Sequence, residues 1–288
     1  MLRFKQNGEN LDIIKILDLE NDGLNIAVDN QFLYIRCKRN MYKYSLINMS
    51  LIAKNVIFKK DGKARNFSIC DNYIFLIDFC DLYILDKSNL QVIESIQIGE
   101  NVSSDLGVVR FDDRKAYINI RNGKMAVMDI DTRIISKFDI CDASSWDHCV
   151  FGNRIYTGTV NGELVETDTN NMQFVRIIGL HKKNIYSVVY HDGIIYTVSQ
   201  DMTIKAVNSK TFEIVCVAKK AVKGMTKILG IYNDWLVIAD GGISLWDKQT
   251  LKLHKRFDFP TGHFNKGVAL YDDILIGSDF HSVYKYKI

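Results

Sequence analysis

The sequence predicts an all-β fold in which seven four-stranded antiparallel blades form a closed ring. Three observations predict it. Two-residue turn signals recur at an almost constant interval, a second turn series follows them at a near-constant offset, and the strand missing from the last unit is available at the N-terminus. Together these describe a seven-bladed β-propeller.

The first series is Asp29-Asn30, Asp71-Asn72, Asp112-Asp113, Gly152-Asn153, Asp192-Gly193, Asn233-Asp234 and Asp272-Asp273, with successive spacings of 42, 41, 40, 40, 41 and 39 residues. Asn, Asp and Gly tolerate positive φ, so such pairs suit tight hairpins. Each lies between strand-like runs, as Tyr186-Ser-Val-Val-Tyr190 and Ile194-Ile-Tyr-Thr-Val198 flank Asp192-Gly193. The second series, Ser45, Asp86, Asp129, Asp168, Asn208 and Asp247, stands about fifteen residues later in each unit. Another β-branched strand follows each mark, such as Arg133-Ile-Ile-Ser-Lys-Phe138. Four short strands per ~40–45 residues is the period of a propeller blade.

The last unit ends at Ile288 with only three strands, while Leu11–Leu19 is a strand with no unit of its own. Residues 11–19 are therefore expected as the outer strand of the last blade, closing the ring and leaving only short protected edges. The reading takes residues 1–288 as one domain, with blades near 23–60, 64–99, 104–141, 145–180, 184–219, 225–260 and 265–288.

Composition agrees with a soluble globular chain: 47% apolar, 25% charged, one proline and 288 residues. The net charge of +3 is too small to imply nucleic acid by bulk charge. The N-terminal residues lack the apolar core of a secretory signal, and no apolar run approaches the ~20 residues of a spanning helix. The six cysteines, Cys37, Cys70, Cys80, Cys141, Cys149 and Cys216, match no zinc spacing and read as free thiols. A cytoplasmic location, with the nucleus as the other option, is the expectation.

The stretch from His181 to Asn208 resembles one WD repeat, with an early His, the Asp192-Gly193 turn and the Ser199-x-Asp201-x-Thr203 loop. Leu245-Trp246-Asp247 carries the Trp-Asp pair that names that family, and Gly262-His263 matches its Gly-His mark. The motif likeness is strong in units five to seven and weak in one to four. Elsewhere the Trp position holds Tyr44, Leu85, Met128, Thr167 or Val207, so the His–Asp–Ser–Trp hydrogen-bond network of the family is incomplete in most blades. The resemblance implies a propeller that binds partners rather than one that catalyses, and assigns His181 and His263 to structure.

No nucleophile elbow, phosphate-cradling loop or His-Glu-x-x-His motif is present, so no cofactor, metal or catalytic residue is expected. Cys141, His148 and Cys149 lie close in sequence, but at the wrong spacing for a tetrahedral site.

The expected working surface is the face bearing the inter-blade loops and the second-to-third strand turns. Six residues before each turn mark stand Gly23, Arg65, Leu106, Trp146, Tyr186, Lys227 and Lys266. Three cations and two large aromatics at one repeat position suit an interface, because aromatics and Arg dominate binding hot spots. Neighbouring loops add Lys38, Arg39, Arg121, Lys182, Lys183, Lys219 and Lys220, with apolar tips at Phe79 and Phe280. Arg65, Trp146, Tyr186, Lys227, Lys266, Phe79, Arg121 and Phe280 are the candidate partner-binding residues. A protein or peptide partner, acidic or phosphorylated, fits them, and membership of a larger complex is expected. Nucleic acid or an anionic surface is the alternative, and a channel-site enzyme the remote one. The opposite face, rich in turn aspartates such as Asp29, Asp71 and Asp86, is expected to be acidic.

Overall fold

The computed structural model describes residues 2–6, 9–18, 23–58, 66–99, 106–222, 226–258, 267–271, 274–278 and 282–287. Strands β1 (Leu2–Gln6) and β2 (Glu9–Asp18) form an N-terminal hairpin. Blade 1 is β3 to β6 (Gly23–Val28, Phe32–Cys37, Asn40–Ser45, Leu51–Val56). Blade 2 is β7 to β10 (Asn66–Ile69, Tyr73–Asp78, Asp81–Asp86, Val92–Gln97), and blade 3 is β11 to β14 (Leu106–Asp112, Lys115–Ile120, Lys124–Asp129, Ile135–Asp139). Blade 4 is β15 to β18 (Ser145–Phe151, Arg154–Thr159, Glu163–Asp168, Gln173–Gly179), and blade 5 is β19 to β22 (Ile185–His191, Ile194–Ser199, Ile204–Asn208, Ile214–Ala218). Blade 6 is β23 to β26 (Lys227–Tyr232, Trp235–Ala239, Gly242–Asp247, Leu253–Asp258), and blade 7 starts with β27 to β29 (Val268–Tyr271, Ile274–Ser278, Ser282–Lys287).

Blades 1 to 6 are four-stranded antiparallel sheets, and β2 completes blade 7 by pairing antiparallel with β29, Lys15 opposite Tyr284. The expected closure by an N-terminal strand is therefore observed. Two details differ from the sequence reading. The closing strand spans Glu9–Asp18 rather than 11–19, and β1 lies outside it as a fifth strand. Asn7-Gly8, the strongest kind of two-residue hairpin signal, separates the paired Gln6 and Glu9.

The second turn series closes on its own backbone. Oδ1 of Asp86 accepts the Ser88 N–H at 2.7 Å, that of Asp129 accepts Thr132 N–H at 2.8 Å, and that of Asp247 accepts Thr250 N–H at 2.7 Å. Four residues beyond the mark the chain turns left-handed at Leu90 (φ 64°), Met172 (φ 55°), Phe212 (φ 64°) and Leu251 (φ 50°). Positive φ is strained for these side chains; all four are buried, and the apolar burial offsets the strain.

The core lies between blades. Phe75, Ile77 and Ile84 of blade 2 pack on Val109, Ile118 and Met128 of blade 3. Tyr196 and Val198 of blade 5 pack on Ile228, Leu236 and Trp246 of blade 6. Leu33 and Ile35 of blade 1 meet Ile276 and Val283 of blade 7, with Ile16 of the closing strand beside them. A neighbour covers each face of a second strand, so β4, β12, β16 and β20 are buried nearly end to end. Outer strands such as β6 and β10 mix exposed and half-buried residues instead. Among the described residues no helix is long and apolar enough to cross a membrane.

Candidate interaction face

The position chosen from the repeat falls where the innermost strands begin, and the backbone is irregular there. In blade 4, Ser145 pairs with Thr159 and Asp147 with Gly158, so Trp146 is the extra residue of a β-bulge. In blade 5, Ile185 pairs with Ser199 and Ser187 with Val198, which makes Tyr186 the extra residue. A bulge re-aims its side chain out of the pleat. Blade 6 differs: the register shift lies between Ile228 and Gly230, so Leu229 takes the bulge and Lys227 stays paired with Ala239. The repeat equivalence of Lys227 with Trp146 is thus lost by a local slip in register.

The face brings Arg121 and Trp146 together. Arg121, in the β12–β13 turn of blade 3, sets its guanidinium carbon 4.8 Å from the centroid of Trp146 at the start of blade 4. Trp146 is half-buried, and its indole N–H has no acceptor among the described residues. Tyr186 instead packs against the apolar cluster between blades 5 and 6. Phe79 is half-buried at its turn with φ 52°, and its carbonyl accepts the Leu106 N–H at 2.9 Å. Lys38, Arg39, Lys182, Lys183, Lys219 and Lys220 are exposed. Arg65, Lys266 and Phe280 lie outside the described residues, as do Lys59, Lys60, Lys63, Lys223 and His263.

Lys227 keeps solvent-accessible surface yet is enclosed by protein at the inner strands. Poor solvation lowers its pKa, Arg110 lowers it further, and Asp147 opposes them. Those two residues belong to a belt of buried and half-buried polar groups. Asp147 accepts Arg110 Nη2 at 2.7 Å, the Ser187 hydroxyl at 2.8 Å and the Val188 N–H at 3.2 Å, and so ties blades 3, 4 and 5. Arg110 Nε also donates to the His148 carbonyl at 3.0 Å. Asn66 Nδ2 donates to the Gly107 carbonyl at 3.2 Å between blades 2 and 3. Asn119, fully buried, accepts the Val108 N–H at the blade 3 bulge and donates to Ser145 of blade 4.

Sequence reasoning overlooked this belt. Asn66, Asp147 and Ser187 all stand five residues before a turn mark, so polar residues at one buried repeat position were the signal. Two neighbours of the belt are less well served. His148 and Thr157 are cross-strand partners, both fully buried, and among the described residues neither the imidazole nitrogens nor the Thr157 hydroxyl makes a well-formed hydrogen bond. Burial, and next the charge of Arg110, push His148 down to about 3, so it is neutral.

His181 is buried, with both ring nitrogens within hydrogen-bond distance of threonine hydroxyls. Nδ1 is 2.9 Å from Thr203 Oγ1 and Nε2 is 2.8 Å from Thr197 Oγ1. The Thr203 hydroxyl donates its own hydrogen bond to Asp201 Oδ1 at 2.6 Å, which suits a neutral ring protonated at Nδ1. Burial pushes His181 down to about 4. In blade 6 the Trp246 indole donates to Ser244 Oγ at 2.8 Å. Cys141 turns its thiol to the Ala143 carbonyl, and among the described residues no three His, Cys, Asp or Glu side chains converge as metal ligands.

The opposite face carries the expected aspartates, but several are paired. Asp29 meets Lys87 at 2.9 Å, Asp234 meets Lys248 at 3.3 Å, and Asp131 and Asp168 meet Arg114 and Arg154. Its field is therefore weaker than the aspartate count suggests.

No protein-family model matches the chain, and no curated protein matches it in sequence. Solved structures do match in shape. The computationally designed Ika8 protein superposes with a TM-score of 0.70 at 14% identity, over 95% of this chain and 99% of that one. A chain of the mitotic checkpoint complex gives a TM-score of 0.79 at 12% identity, over 99% and 95%. U3-55K gives 0.80 at 10% identity, over 96% and 98%. At these identities the likeness concerns the fold: the protein is a seven-bladed β-propeller.

Proposed function

We propose that this propeller is of the WD-repeat kind and serves as a non-enzymatic platform for a protein or peptide partner. The partner docks on the face that bears Arg121 and Trp146, through an acidic or phosphorylated segment. The observation that carries this reading is the Arg121–Trp146 pair: a cation over a half-buried aromatic that a bulge presents. Arg on an aromatic face supplies both charge recognition and a rigid contact surface. The His181–Thr203–Asp201 network and the Trp246–Ser244 bond support the WD-repeat assignment. The likeness in fold to a chain of the mitotic checkpoint complex agrees with a place in an assembly.

The test is a pull-down from cell extract with the wild-type chain and an Arg121→Glu/Trp146→Ala double variant, after circular dichroism shows that both fold alike. A protein partner held by the wild type and lost by the variant is the expected result. Equal recovery by both forms would place the working surface elsewhere. Binding that collapses steeply with added salt, with nucleic acid in the eluate, would replace the peptide reading with an electrostatic one.

A further inference from the structure

A cavity of about 700 Å³ opens on the opposite face, between the turns of blades 1 and 2. Lys43 of β5 forms its inner end and is only 6% exposed. Its ammonium lies 3.9 Å from the Phe32 ring centroid and 5.8 Å from that of Tyr34. It donates to the Lys87 carbonyl at 3.0 Å. An ammonium has three donors; among the described residues no carboxylate forms an ion pair with this one. Burial lowers its pKa and the charge of Lys87 adds to that, against the attraction of Asp29 and Asp86.

The neighbouring lysine is served differently. Lys87 Nζ is 2.9 Å from Asp29 Oδ2 and donates to the Cys70 carbonyl at 3.1 Å. Asp29 also accepts the Tyr34 hydroxyl at 3.1 Å and the Phe32 N–H at 2.8 Å. The Asp29–Lys87 pair is thus closed on itself. The lining also holds the cation of Lys43, 6% exposed, and two further carboxylates: Asp71, exposed, and Asp86, half-buried, whose Oδ1 is held by Ser88. A buried charge without a counter-ion is costly unless a ligand supplies one. A dianion such as phosphate would meet three carboxylates against two ammoniums in the lining. A molecule with a negative and a positive end fits the gradient in one orientation.

We propose that this cavity binds a small zwitterion of the amino-acid type, with its carboxylate on Lys43 and its cationic group toward Asp71 and Asp86. The ring of Phe32, half-buried in the lining, forms the wall against which its body lies. The site is independent of the platform face, and either can fail without the other.

Calorimetric titration of the full chain with L-arginine, agmatine and inorganic phosphate tests the proposal. Agmatine is arginine without its carboxylate. L-arginine is expected to saturate the protein, with agmatine at least roughly tenfold weaker and phosphate weaker still. Lys43→Met should lose roughly tenfold or more for L-arginine with an unchanged or raised melting temperature, since it removes an unpaired buried charge. Asp71→Asn should weaken L-arginine while leaving the fold intact. No saturation by L-arginine at millimolar concentration, phosphate binding more tightly than L-arginine, or agmatine binding as well as L-arginine would each overturn it. The agmatine comparison needs no variant, so it decides the carboxylate contact even if Lys43→Met folds poorly.

Discussion

The Ser187 hydroxyl of blade 5 donates to Asp147 Oδ2 of blade 4 at 2.8 Å, and the same carboxylate holds Arg110 of blade 3 on its other oxygen. Asp147 is 3% exposed, so one charge joins three blades out of contact with bulk water. Asp147→Ala strands the Arg110 guanidinium, the Ser187 hydroxyl and the Val188 N–H together. Arg110 is 30% exposed and keeps its bond to the His148 carbonyl, so urea unfolding should show a loss of roughly 2–3 kcal/mol, below that of a fully buried pair. Ser187→Ala, which removes a single neutral donor, should cost about 1 kcal/mol. Equal losses for the two variants would mean that Asp147 is not the hub.

Stability should fall on acidification in a definite window. His181 titrates at about 4 and His148 at about 3 in the folded chain, against an ordinary value of 6.5. Both therefore bind fewer protons folded than unfolded below 6.5. Their contribution is complete above about pH 6.5 and is lost as pH drops toward 4 and 3. Asp201 adds a later loss: burial opposes its charge, but hydrogen bonds from Thr203 and Lys182 hold it at about 2, below its ordinary 3.8. Urea midpoints compared at about pH 7 and about pH 4.5 measure the effect. His181→Gln should flatten the slope between these values, and a slope unaltered by that change would refute the assignment.

Gly107 is held to its size by Asn119. A methyl group added there would overlap the Asn119 side-chain amide, which is fully buried and pinned by the Val108 N–H and by Ser145. Gly107→Ala should cost about 1–3 kcal/mol, as overpacking does. Thermal melting checks this, and Gly152→Ala is a useful contrast, because nothing lies within 4 Å of the added carbon and only its φ of +56° is strained.

Ring closure can be tested by truncation. Removing residues 2–6 deletes only β1, the outermost strand of blade 7. Removing residues 2–18 also exposes the edge of β29, whose backbone then has no partner on that side. The shorter deletion should remain monodisperse on gel filtration and melt cooperatively. The longer one should aggregate through its open edge. Matching behaviour of the two would show that β2 is dispensable.

The repeat was legible because the turns are chemically special. Asp86, Asp129 and Asp247 each bind their own backbone two or three residues on, a local event that needs no knowledge of neighbouring blades. The missing outer strand was legible for the same reason, since a blade lacking one strand is visible from the count. The β1 strand was passed over, although Asn7-Gly8 announces its hairpin. The site was legible only in part. Arg121 and Trp146 are 25 residues apart in sequence and meet because one opens the β12–β13 turn of blade 3 while the other lies at the start of blade 4. Tyr186 shares the bulge of Trp146 but packs inward, a difference no repeat alignment carries.

The sequence by itself determined the number of blades, their strand order and the strand that closes the ring, because these follow from turn chemistry and period within one unit. Only the tertiary structure decided which side chains meet between units. Asp147 with Arg110 and Ser187, Arg121 with Trp146, and Lys43 with Phe32 and the Lys87 carbonyl all join different blades or strands. Their contacts depend on a single bulge, on the register of one strand and on the pitch of one blade against the next. These are properties of packed surfaces, in which a shift of one residue sends a side chain to the other face.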